Sequence, residues 1–315
     1  MADQIYRLQT RREILKAAIG AAGIAVGAPV LGLQALAQAP AQAQGTVKLA
    51  DDLFILRLPG EANVLAQVDA KGVILVDGGS AAGADALAKA VAALPGAGSV
   101  HILFNTHWHP EQTGSNERLG KAGATIIAHE NTRLWTTQNV TPPYSGGKTY
   151  QKLPKIAQPN KTFYTTGKLE NDIRYGYIAD AAHTDGDIYV YFPKQNVLAV
   201  GDAVSGQGWP VVDWWTGGWI GGIVGGLNRL QTVANAETRI VPARGPELSL
   251  ADLKAQADMF STIYGRLSQM INAGRGPSEG VEAKPAKEFE AKMGNPDEFI
   301  RRSFESLWAY VSPDA

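Results

Sequence analysis

Thr106-His107-Trp108-His109-Pro110-Glu111-Gln112-Thr113-Gly114 follows directly on the apolar run Val100-His101-Ile102-Leu103-Phe104. That run has the character of a buried strand and stops at Asn105-Thr106. His107 and His109 are two positions apart, and residues i and i+2 of an extended segment share a face. Both imidazoles can therefore reach one cation. The chain has five histidines and no cysteine. Thiolate ligands, disulfides and cysteine nucleophiles are thereby excluded, so a metal must be held by His, Asp, Glu or a neutral oxygen. His183, in Ala182-His183-Thr184-Asp185-Gly186-Asp187, lies in a loop between two β-rich runs and is the best third nitrogen. Asp202 ends a further apolar run, Val200-Gly201-Asp202. Loops at strand ends are where rigid scaffolds commonly carry their sites. Three histidines with an open fourth position form the layout of a catalytic zinc. Such an ion lowers the pKa of water to ~7 and so supplies a nucleophile at neutral pH. His101, at a strand start, and His129, at a strand end, are read as structural.

Outward from this stretch the pattern is consistent. Leu53–Leu58, Ala62–Val68 and Val73–Asp77 are short β-rich runs, punctuated by Pro59-Gly60 and Ala70-Lys71-Gly72. Residues 84–94 are Ala-rich and helical in character. A helix containing Arg118 and Leu119 is expected after Gly114, then a strand over 124–128. Residues 138–168 are turn-rich, with Pro142-Pro143 and Gly146-Gly147, and read as an inserted loop and cross-strand region. Strands are expected at 174–178, 187–192 and 196–200. Helices are expected at 223–234, 249–273 and through most of 285–315. No repeat of 20–50 residues is visible. Strands first, then a mixed half ending in helices, predict a layered α/β sandwich over 46–315 as one domain.

The 315 residues are 45% apolar and carry a net charge of −1. This is ordinary globular composition, without the basic stripe that nucleic-acid binding requires. The first 45 residues differ. Thr10-Arg11-Arg12-Glu13-Ile14-Leu15-Lys16 precedes an uncharged stretch over 17–37, followed by Ala35-Leu36-Ala37 and Ala41-Gln42-Ala43. A basic region, an apolar region and an A-x-A site make a secretory signal. The arginine pair matches the twin-arginine pattern, read by the translocation machinery as an address. Cleavage near Ala37 or Ala43 and a periplasmic location are expected. The stretch is long enough to span a bilayer, but it is only mildly hydrophobic and no basic stop-transfer cluster follows. No stable membrane anchor is expected.

The ordered motifs resemble the metallo-β-lactamase superfamily. Residues 106–114 resemble its T-H-x-H-x-D-H-x-G motif. Asn63 and Asp77-Gly78-Gly79 stand where that family has an early Asn and a D-x-G turn. His183-Thr184-Asp185-Gly186 is similar to its H-T-P-G segment, Gly201-Asp202 to the segment with the bridging aspartate, and Val241-Pro242-Ala243-Arg244-Gly245-Pro246 to its P-G-H-G-P. The resemblance implies a four-layer αββα sandwich and a metal-dependent hydrolase acting on a small molecule. Its first metal site corresponds to His107, His109 and His183. The second takes Asp, His and His beside the bridging aspartate, and here those positions hold Glu111, Gln112 and Arg244, with only Asp202 unchanged.

Each departure has a chemical meaning. A glutamine offers at most an amide oxygen, a poorer zinc ligand than imidazole. Glu111 keeps its charge one methylene further out. Arg244 is cationic and cannot ligate a metal, but it could pair with Asp202 or Glu111 as a bidentate fork. One ion is therefore expected, with Arg244 replacing the second positive charge and available to an oxyanion, a carboxylate or a phosphate on the substrate. The leading reading is a mononuclear zinc hydrolase cleaving a lactam, lactone, ester or thioester, with Asp202 orienting or deprotonating water and Glu111 as base or proton shuttle. Two other readings stand beside it. One is a mononuclear iron oxygenase in which His107, His183 and Asp202 form a facial triad. The other is a non-catalytic binding protein that has lost turnover. Trp209, Trp214, Trp215 and Trp219, threaded by glycines just after Asp202, are candidates for an apolar pocket wall or for packing between a loop and a helix.

Overall fold

The computed structural model describes residues 44–178 and 181–311. Residues 1–43, which hold nearly all of the expected export signal, lie outside the described residues. Among them, no helix is long and apolar enough to cross a membrane.

Alternation of side chains builds two sheets. The first comprises β1 (Gly45–Lys48), β2 (Leu53–Arg57), β3 (Val64–Asp69), β4 (Gly72–Val76), β5 (Val100–Phe104), β6 (Thr125–His129) and β7 (Lys161–Phe163), in sequence order across the sheet. Strands β1 to β4 are antiparallel neighbours, and β4 to β7 run parallel. The second sheet has the order β12-β11-β10-β9-β8, from β8 (Thr166–Lys168), β9 (Arg174–Tyr177), β10 (Ile188–Phe192), β11 (Val197–Gly201) and β12 (Arg239–Pro242).

Leu53, Ile55, Leu65, Ile74, Val76, Phe104 and Ile127 face inward and meet Ile188, Val190, Phe192, Val197 and Ala199 of the second sheet. Their immediate neighbours Phe54, Leu56, Val64, Val73, Leu75, Leu103 and Ile126 face the other way, against Leu87 and Val91 of α1 (Ala84–Ala92). On the far side, Leu198, Val200 and Ile240 pack against three helices. These are α5 (Ile220–Val233), α6 (Leu250–Asn272) and α9 (Asp297–Val311). Period-two alternation thus yields four layers, αββα. Each large side chain removed from water stabilises by about 1.5–3 kcal/mol, and the inner layer is the one that aligns the two sheets.

Some elements differ from expectation. β1 has the sequence Gly-Thr-Val-Lys and is mostly exposed, so no apolar alternation announces it. Residues 138–168 carry a Val140–Tyr150 bridge, two 3-10 turns and the three-residue strands β7 and β8. The tail is not one helix. α7 (Pro277–Glu282), a 3-10 turn and α8 (Glu290–Met293) precede α9.

The strand ends set the site. His107 and His109 follow β5, Asp77 follows β4, Asp202 follows β11, Arg244 follows β12 and His183 lies in the loop entering β10. The backbone of the first motif bridges the sheets, since Ile188 N donates to Thr106 O at 2.9 Å. Gly201 has φ +58°, and a Cβ there would fall 2.7 Å from Thr106 Oγ1, so the close approach of β11 to the β5 loop requires glycine. Gly201→Ala is expected to lower the unfolding free energy by about 1–3 kcal/mol through backbone strain, measured by urea unfolding at pH 7.

Candidate metal centre

Local chemistry fixes each histidine. Pro110 opens the short helix α2 (Pro110–Thr113), and the residue before a proline is pushed to extended backbone. His109 accordingly has φ −59° and ψ 151°, which keeps it in line with His107. Gly78 N donates to Gln112 O at 2.8 Å and Gly114 N to Gly79 O at 2.9 Å, so the Asp77-Gly78-Gly79 turn clasps the loop. Asn105 and Asn116, the latter from α3 (Asn116–Lys121), exchange side-chain bonds of 3.0 and 2.8 Å beneath it. The His183 loop is tied by Thr184 N to Asp187 Oδ2 at 2.8 Å and by Asn131 Nδ2 to Asp185 O at 2.8 Å. Asn131 belongs to α4 (Glu130–Thr136), which His129 caps by accepting from Asn131 N. His129 is therefore structural, as expected, and His101 pairs with Asp69 at 3.1 Å.

The three predicted ligands converge. His109 Nδ1 lies 3.1 Å from His107 Nε2 and 3.0 Å from His183 Nε2, and these three histidines form a cluster able to hold a metal ion. The opposite nitrogen of every ring faces an acceptor. His183 Nδ1 donates to Val211 O at 2.7 Å, His109 Nε2 to Asp213 Oδ2 at 2.8 Å and His107 Nδ1 to Thr106 Oγ1 at 3.2 Å. Thr106 Oγ1 in turn donates to Asp77 Oδ2 at 2.8 Å. With each N–H committed outward, three lone pairs point at one place. Burial, followed by the charges of His183, His109 and Arg244, holds the His107 pKa well below its ordinary value. The ring stays neutral, the form that ligates. This donor set fits a divalent transition ion.

Asp202 stands beside that cluster, with Oδ2 3.6 Å from His107 Nε2. Gln112 Nε2 donates to the same oxygen at 2.9 Å. Gln112 thus turns its nitrogen, not its oxygen, toward Asp202. Its Oε1 is buried and has no hydrogen-bond partner among the described residues. The Arg244 fork to Asp202 or Glu111 is not formed. Arg244 is exposed and makes no ion pair among the described residues. Glu111 also makes no ion pair among the described residues, on a cavity of about 320 Å³ that it shares with His109, His183, Asp202, Arg244 and Trp209. The other tryptophans do not wall this cavity. Trp219 stacks on Tyr310 in the core, Trp214 donates to Glu305 and Trp215 is exposed. The segment winds back into the helical layer, so sequence proximity to Asp202 does not carry over to the site. Trp108 is buried and donates to Thr216 Oγ1 at 3.0 Å, as the packing reading expected.

Asp213 is the residue that sequence reasoning missed. It is buried and accepts from His109, from the Tyr144 hydroxyl and from Thr216 N and Oγ1. Burial pushes its pKa up, but the bond and charge of His109, with the Thr216 and Tyr144 hydroxyls, outweigh that and hold it well below the carboxylate range. Its only signal in the sequence is an acid among tryptophans, and nothing there ties it to a histidine 104 positions away.

Comparison with known families places the chain. It belongs to the metallo-β-lactamase superfamily, whose family model matches residues 57–239. Curated proteins gave no sequence match. Among solved structures, it is similar to a metallo-β-lactamase from Pontibacter korlensis at 18% identity and TM-score 0.53, covering 69% of this chain and 99% of that one. The DIM-1 metallo-β-lactamase is similar at 17% identity and TM-score 0.54, covering 69% and 96%. The stereoselective inverting sec-alkylsulfatase Pisa1 from Pseudomonas sp. is similar at 14% identity and TM-score 0.64, covering 83% of this chain and 50% of that one. At such identities the likeness establishes the fold alone.

Two predictions follow from the ligand supports. Asp213→Ala is expected to weaken metal affinity by about 10–100-fold, the usual cost of losing a partner that orients a ligating histidine, as read by chelator competition. Asp185 bears on pH. Burial, then the charge of Asp213, raises its pKa to about 6. A carboxyl raised in the fold favours the folded state below its unfolded value and loses that contribution as pH rises through 6. Asp185→Asn should therefore raise the urea midpoint at pH 8 relative to wild type and leave it unchanged at pH 4.

Proposed function

We propose that this superfamily member is a periplasmic metal-dependent hydrolase with a single zinc ion, acting on a lactam, lactone, ester or thioester in a small molecule. The observation that carries the reading is the convergence of His107 Nε2, His109 Nδ1 and His183 Nε2, each ring with its other nitrogen committed to an acceptor. When bound there, the ion supplies Lewis acidity, which lowers the pKa of water and polarises an acyl oxygen. The chain's own groups do the rest. Asp202, oriented by the hydrogen bond it accepts from the Gln112 amide, accepts a proton from attacking water. Glu111, without an ion pair among the described residues and on the same cavity, carries that proton to the leaving group. The rigid supports of the three rings keep the site in its productive arrangement.

The one-ion stoichiometry rests on Gln112, Glu111 and Arg244. The amide nitrogen of Gln112 points at Asp202, where a second cation would need a lone pair, and Arg244 adds a fixed positive charge nearby. The iron alternative, with His107, His183 and Asp202 as ligands, requires His109 to stand apart. His109 Nδ1 is as close to the other two rings as ligands of one ion would be, which supports the three-histidine set. The periplasmic location rests on the Arg11-Arg12 signal and the A-x-A sites.

Metal analysis of protein purified without added metal, together with a panel of lactams, lactones, esters and thioesters, tests this reading. Wild type should hold one zinc per chain and hydrolyse at least one class, and His107→Ala should lose both. Gln112→His with Arg244→His should take up a second ion. Iron without zinc, or two ions in wild type, would sink the metal assignment. Full metal content without any turnover would favour the non-catalytic binding protein.

A further inference from the structure

We infer that the cavity beside the three histidines receives a substrate bearing an oxyanion group, a carboxylate or a sulfate or phosphate ester, and that Arg244 is the residue that grips it. This deepens the hydrolase reading and rests on it for the word substrate.

Among the described residues, the carboxylates and guanidiniums lining the cavity have partners except for Glu111 and Arg244. Asp213 is engaged by His109, Tyr144 and Thr216, and Asp202 by Gln112. Two guanidiniums line the cavity. Arg302, from α9, is bonded to Glu298 at 2.6 Å and lies 4.0 Å over the Tyr144 ring. Arg244 has neither kind of partner. It makes no ion pair among the described residues, although Asp202 and Glu111 line the same cavity. A cation placed to neutralise those acids would sit on them. Arg244 instead leaves its donors open while its charge is still felt at His107.

The backbone beneath Arg244 is fixed. Asn63 N donates to Ala243 O at 2.7 Å, and Asn63 Nδ2 donates to Pro242 O and Gly245 O at 2.9 and 3.1 Å. Ala243 N donates to Gly201 O at 2.8 Å. Gly206 and Gly245 abut so tightly that a Cβ on Gly206 would fall 2.3 Å from Arg244 O. The side chain therefore rises from a rigid base beside β11, not from a mobile loop. A guanidinium fork matches the two oxygens of a carboxylate or of a tetrahedral oxyanion, and a fixed base spares part of the ordering cost on binding. Arg302 adds positive potential to the same space.

The test is calorimetric titration of the full zinc-loaded protein with glutarate, inorganic sulfate, inorganic phosphate and, as a neutral control, dimethyl glutarate. Arg244→Ala, Arg244→Lys and Arg302→Ala are compared, with zinc content measured in each. At least one anion should bind wild type, and the neutral diester should bind much more weakly. Arg244→Ala should weaken that anion by about 10–100-fold, the range for a lost hydrogen bond to a charged group. Arg244→Lys should lose less, and Arg302→Ala only a few-fold. Preference for glutarate over sulfate and phosphate identifies a carboxylate substrate, and the reverse identifies an ester of sulfate or phosphate. The inference is overturned if no anion binds, if Arg244→Ala binds as wild type does, or if Arg302→Ala weakens binding more than Arg244→Ala. Anion binding through Arg244 in a protein that hydrolyses nothing would reject the hydrolase reading while keeping this subsite.

Discussion

Three imidazole lone pairs held about one point, with each ring's proton tied elsewhere, form the constraint on which the site depends. Left without a cation, such an arrangement brings three electron-rich nitrogens to within 3.0 and 3.1 Å of a common member. Neutral rings with their N–H groups turned away gain nothing from that proximity. The supports that hold them there are a backbone carbonyl, a buried carboxylate and a threonine backed by a second carboxylate. These are the partners that raise ligand basicity and fix ring orientation around a metal. The rings come from strand ends on both sheets, and two of their supports, Val211 O and Asp213, from the segment that follows β11.

Much of this was legible in the chain, because it depends on short-range pattern. Short, nearly continuous apolar runs in β2 to β6 and in β10 and β11 announce strands buried on both faces, and the H-x-H spacing after β5 announces the shared face. His183 could be chosen because few histidines compete for the role. What escaped has physical causes. β1, β7 and β8 are short and largely exposed, so no burial imprints a period on them. Asp213 is placed by how the 205–219 segment winds, which no local pattern encodes. The same winding sends Trp219 into the helical core and leaves Trp209 alone of the four at the cavity. The Arg244 fork failed for a related reason. Order along the chain tells which residues gather, whereas an ion pair depends on where long side chains reach once their backbones are fixed.

The altered half of the site is coherent as chemistry. Replacing an imidazole by Gln112 converts an acceptor facing Asp202 into a donor facing it. The carboxylate then has its partner from the protein, and the unpaired Gln112 oxygen is the residual cost of that exchange.

The Ile188–Thr106 bond joins the sheets at the same corner where the histidines gather. His107 and His109 extend from the first sheet, while His183 is carried by the loop feeding the second. An ion held by these three rings would join the two sheets as a rivet joins two plates. Its binding energy becomes resistance to the sheets sliding over one another, and mass action makes that resistance depend on free metal.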